Sequence, residues 1–121
     1  MPAFSRAQFE QIVQETLEDL PERFQSLLEN LVIAVEEEPD SDELRELGLD
    51  PSEDELFGLY EGTSLLERGA AHSGLPDRII IYRGPLLRSC NTRDEIVEEI
   101  RRTVIHELGH HMGLDDDEMV F

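Results

Sequence analysis

NTRDEIVEEIRRTVIHELGHHMG, residues 91–113, repeats apolar side chains at a spacing that only a helix brings together. Ile96, Val97, Ile100, Val104 and Ile105 fall on one face of a 3.6-residue period. Thr92 followed three residues later by Glu95 is a capping box, which marks the start. Gly113 is suited to the C′ position that ends such a helix with φ > 0. A long C-terminal helix over Arg93–Met112 therefore needs something apolar to lie against, and the rest of the chain must supply it.

Working outward, DRIIIYRGPL (77–86) is β-branched and is ended by Gly84-Pro85, so it reads as a strong strand. LFGLYEG (56–62) reads as a short strand and LVIAVEEEP (31–39) as another. The stretch TSLLERGAAHSGLP (63–76) is turn-rich, and Pro39–Glu55 reads as an acidic loop carrying one short helix. At the N-terminus Ser5 is a plausible N-cap, and Phe9, Ile12, Val13, Thr16, Leu17 and Leu20 follow at helical spacing. Pro21 suits the first turn of a second helix, with Phe24, Leu27, Leu28 and Leu31 as its stripe. The expectation is an α+β fold in one domain over 1–121: N-terminal helices, a small mixed sheet, and the long C-terminal helix packed on it.

Composition narrows the function. The formal net charge is −19, and all ten basic residues are arginine. Such a surface repels phosphate backbones, which argues against nucleic acid, and it attracts cations. No apolar run approaches the ~18 residues of a membrane span. Cys90 is the single cysteine, so an internal disulfide is excluded and a reducing compartment fits. The first residues show no charged region followed by an apolar block, which makes a cytoplasmic location the expectation.

The chemistry lies at the end of the helix. His106 and His110 are four residues apart, so their Cβ atoms stack ~6 Å apart on one face and both imidazoles can reach one ion. Glu107 projects about 100° round the helix from His106, beside the ion rather than on it, where a base belongs. This is the H-E-x-x-H pattern of zinc-dependent hydrolysis. His111 is offset from His110 and cannot share its ion. Beyond Gly113 the run Asp115, Asp116, Asp117, Glu118 can offer a third ligand from chain that has left the helix. His72 is a loop histidine, the next place to look if none of these ligates.

The fuller motif HELGHHMGLDD, His106–Asp116, resembles the long zinc motif of the zincin superfamily, in the branch where aspartate is the third ligand, as in snapalysin-like peptidases. With GLYEG and IIIYRGPLLR it is similar to short bacterial zincin-like metallopeptidases, a likeness that covers roughly residues 56–118. The resemblance implies a minimal zincin-like fold, a Zn²⁺ cofactor held by His106, His110 and Asp116, and Glu107 as catalytic base. It implies peptide or protein substrates, and it implies that the 78–86 strand lies along the cleft and takes substrate as an added strand. Asp115 and Asp117 would then point outward and favour substrates with basic residues.

Two features depart from larger zincins. Only five residues follow Asp116, which leaves no separate methionine-containing turn unless Met119 partly substitutes for it. The lower wall of the cleft must come from the N-terminal helices or from a partner chain, or be absent. Three functions compete: a zinc-dependent peptidase, a metal-binding regulatory or interaction module with little turnover, and an Fe(II) site built as two histidines and a carboxylate. An intact Glu107 favours the first, because a purely structural site gains nothing from a base. Tyr60 and Tyr82 read as packing residues, with an oxyanion role open to one of them.

Overall fold

The computed structural model describes residues 4–29, 31–62 and 77–111. His72, Gly113, the acidic run Asp115–Glu118 and Met119 lie outside the described residues. Within them α1 (Arg6–Glu18) and α2 (Glu22–Leu28) precede strand β1 (Leu31–Glu36), and α3 (Ser41–Glu46) lies in the acidic segment. Strands β2 (Gly58–Glu61) and β3 (Asp77–Tyr82) follow, then α4 (Arg83–Ser89) and the long α5 (Arg93–His111).

Caps set the helix starts. Ser5 Oγ accepts from the Gln8 amide at 3.1 Å, while the Gln8 side chain accepts from the Ser5 amide at 2.8 Å. Thr92 Oγ1 likewise accepts from the Glu95 amide at 3.1 Å, but Glu95 returns to the amide of Asn91 rather than that of Thr92. Each such cap stabilises its helix by about 1 kcal/mol. Pro21 occupies the N-cap position of α2, one residue before the helix.

The sheet order is β1-β3-β2, with β1 parallel and β2 antiparallel to the central β3. Ile33 pairs with Ile79 and Val35 with Ile81, which lines up one apolar face. That face packs on Phe9, Ile12 and Val13 of α1, Phe24 of α2, and Ile96, Ile100, Val104 and Leu108 of α5 in one continuous core. Leu108, fully buried, extends the α5 stripe one turn beyond Ile105 and up to the histidines. On the opposite face the Tyr82 hydroxyl donates to Glu43 of α3 at 3.2 Å.

Two expectations are corrected. The strand that begins at Asp77 stops at Tyr82, and Gly84-Pro85-Leu86 is helical in α4. Proline cannot donate to a ladder, but in the first turn of a helix its missing N–H has no intrahelical partner to lose. The second correction concerns the cleft. Because β3 is bonded on both sides, it cannot accept a further strand; the sheet edge that lies against α5 belongs to β2.

Candidate metal centre

Helix α5 presents three faces. Ile96, Ile100, Val104 and Leu108 enter the core, Thr103 and Glu107 lie against β2, and His106 and His110 stand on the open side. The approach of helix to strand is close because Gly58 has no side chain. A Cβ there would come within 2.4 Å of Thr103 Cγ2 and 3.0 Å of the Ile80 carbonyl oxygen.

That closeness lets Glu107, only 9% exposed, reach the strand. Its Oε1 accepts from the backbone amide of Tyr60 at 2.8 Å. In the antiparallel register Leu59 pairs with Ile80 and Tyr60 with Ile79. The amide of Tyr82 donates to the Phe57 carbonyl, so residues 57, 59 and 61 are the ones that exchange bonds with β3. Tyr60 therefore directs its N–H to the outer edge, where the Glu107 carboxylate meets it. The tyrosine side chain is held as well, its hydroxyl donating to Oδ2 of Asp77 at 2.6 Å. Asp77 is 2% exposed and lies over Gly62, where φ is +142° and a Cβ would meet Asp77 Oδ1 at 2.3 Å.

The two tyrosine hydroxyls thus donate to Asp77 and Glu43. Burial, with Glu43 alongside, pushes the Tyr82 phenol well above its ordinary range. Tyr82 serves the far face of the sheet. Asp77, Gly58 and Thr103 carry no motif in the sequence, where Asp77 reads only as the first residue of a strand. Their roles depend on which elements pack together, and no local pattern carries that.

His106 Nε2 and His110 Nε2 are 3.3 Å apart, with ring centroids at 5.0 Å. A tetrahedral zinc with Zn–N bonds of ~2.05 Å separates its ligand nitrogens by about 3.3–3.4 Å. The pair is already at that spacing. Donor atoms of His106, Glu107 and His110 all lie within 4.8 Å of one another. The sequence-proposed residues are brought together in all three described cases, while Asp116 and His72 fall outside the described residues.

Two grooves meet at His106. One, of about 350 Å³, runs between Leu56–Gly58 and the Thr103–Glu107 side of α5. The other, of about 600 Å³, lies between α5 and α2, where Pro21, Arg23 and Phe24 form its wall. The wall of this second groove thus comes from the N-terminal helices.

The comparisons with known proteins bear on the fold and on the family. A conserved hypothetical protein from Thermus thermophilus has a similar structure, with a TM-score of 0.60 and 22% identity over 90% of this chain and 94% of that one. At that identity the likeness concerns the fold alone. A search of the curated proteins found no match. The profile of the zincin-like metallopeptidases matches residues 28–120, from the end of α2 through the histidine pair and the acidic run beyond it. By that match, over most of its length, the chain belongs to the zincin-like metallopeptidase family.

Proposed function

We propose that the protein is a zinc-dependent hydrolase that cleaves peptide or amide bonds. The observation that carries this reading is the Glu107 carboxylate, fixed by the Tyr60 amide beside two histidines at zinc-ligand spacing. A module that only stored or sensed a metal would gain nothing from that anchor.

His106 and His110 would hold the ion, with Asp116 as third ligand. Zinc in such a site polarises a carbonyl and brings the pKa of water towards ~7. Glu107 takes the proton from the attacking water and returns it to the leaving amine. Its anchoring by Tyr60 matters here, because a base must be within hydrogen-bond reach in a fixed direction. Asp77 positions Tyr60 through the phenol and so acts on Glu107 at one remove.

The substrate backbone lies in the groove beside Leu56–Gly58, along the β2 edge, where the outward groups of Gly58 are next in line after the Tyr60 amide. A cytoplasmic setting fits Cys90, which is buried, and whose thiol burial, Glu99 and Glu95 all push up. The net charge of −19 argues against nucleic-acid partners. No described helix is long and apolar enough to cross a membrane.

The test is cleavage of a mixed-sequence peptide pool by zinc-loaded protein, followed by mass spectrometry. Cleavage that stops with chelator and returns with zinc supports the reading. A pool left intact by protein shown to carry zinc refutes it.

A further inference from the structure

Among the described residues, the groove between α2 and α5 gathers arginines that carboxylates do not match. The chain is strongly acidic, yet Arg23, Arg101 and Arg102 all line this groove, against one carboxylate, Glu98. Elsewhere the described arginines are matched. Arg6 pairs with Glu10, Arg45 with Asp42, Arg78 with Glu61, Arg83 with Glu37, Arg88 with Glu38 and Arg93 with Glu15. Arg102 shares Glu98 and Glu99. Among the described residues, only Arg23 and Arg101 make no ion pair with a carboxylate, although acids outnumber bases almost three to one. Both face the same groove, and that groove opens on His106.

Two further features define what fits. The guanidinium of Arg23 lies 4.9 Å from the centroid of the Phe24 ring, which orients it while leaving its hydrogen-bond donors available. Phe24 and Ile105 give the groove an apolar component suited to methylene groups. A side chain with a short aliphatic stem and a terminal carboxylate matches both, and the planar fork of arginine suits a carboxylate better than a point cation would. Long-range repulsion from the acidic surface does not prevent this, since charges more than ~8 Å apart are largely screened at physiological salt.

We infer that the α2–α5 groove is a specificity subsite for an acidic side chain, glutamate above all, of an extended peptide that passes the metal centre. The inference deepens the hydrolase reading and rests on it for the identity of the ligand as a peptide. It differs in sign from the basic-residue preference expected from Asp115 and Asp117, which lie outside the described residues.

The experiment measures binding, so that it does not depend on turnover. Fluorescent octapeptides, acetylated and amidated, carry Glu, Gln or Lys at one position in an uncharged background. Their affinities for the zinc-loaded Glu107→Gln protein are read by anisotropy. At the favoured position Glu should bind about tenfold more tightly than Gln, the return expected of one charge-assisted hydrogen-bonded pair, and Lys should bind most weakly. The exposed double variant Arg23→Glu/Arg101→Glu should reverse that order. Equal affinities for the three peptides overturn the inference, as does an order that the double variant leaves unchanged. A preference that appears only with free C-terminal carboxylates overturns the side-chain assignment. If wild-type protein cleaves no peptide while the charge order holds, the hydrolase reading falls and the subsite stands.

Discussion

Replacing Gly58 by alanine tests whether the close approach of α5 to β2 sets the catalytic geometry. The new Cβ would stand 2.4 Å from Thr103 Cγ2, whereas ordinary contacts begin at 3.4 Å, so helix and strand must part by about 1 Å. A separation of that size in the direction of the Tyr60–Glu107 bond takes its 2.8 Å to about 3.8 Å, beyond hydrogen-bond range. Overpacking of this kind costs about 1–3 kcal/mol. With an unfolding entropy of about 2.1 cal/mol/K per residue, 2 kcal/mol lowers Tm by about 8 °C for a chain of this length. Zinc affinity should change little, since His106 and His110 move together on one helix. Peptide hydrolysis should fall far more. Thr103→Ser removes the clashing methyl and leaves only the 3.0 Å approach to the Ile80 carbonyl oxygen, so Gly58→Ala/Thr103→Ser should recover most of the lost Tm and turnover. Scanning fluorimetry, a competition titration with a chromophoric chelator and a peptide cleavage assay read the three quantities. Gly58→Ala with wild-type Tm and turnover, or a double variant no better than the single, refutes the reasoning.

Further outcomes follow from the same geometry. Zinc at a hundred times its Kd should stabilise chelated protein by about 2.7 kcal/mol, visible as a rise in Tm, and no rise would remove the metal site. Asp116→Ala should weaken zinc binding much more than Asp115→Ala or Asp117→Ala, because losing a ligand outweighs losing a screened charge; equal effects would move the third ligand elsewhere, with His72 the first alternative. Cys90 is buried and its thiol is pushed up by burial and by Glu99 and Glu95. It should resist a thiol reagent in native protein at pH 8 and react once the chain is unfolded, and prompt native reaction would mean that the α4–α5 junction opens.

How much of this could be read from the sequence depended on range. Helix α5 was legible because its stripe, its cap and its histidine spacing are all local. Strands β1 and β3 are legible from β-branched runs and β2 from a short stretch of leucine and aromatic residues, but their order is not, since no residue in β3 signals that both its edges are taken. The helix α4 was missed because Gly84-Pro85 reads equally as the end of a strand and as the first turn of a helix. His106, Glu107 and His110 were found by spacing alone. The partner of Glu107 was not, because a backbone amide forty-seven residues away has no sequence signature. The arginines of the α2–α5 groove come from two helices, and in the sequence they are scattered among acids that would be expected to neutralise them.

The most direct test of the central claim is Glu107→Gln. The substitution keeps the size of the side chain and all three proposed ligands, and it removes the base. Zinc content of the purified variant and its rate of peptide cleavage are measured together, with wild type alongside. One zinc per chain at wild-type affinity, with hydrolysis reduced by about 10²–10⁴-fold, is the expected result. A variant that loses its zinc would make Glu107 a ligand, and one that keeps wild-type turnover would show that it is no base; either contradicts the mechanism.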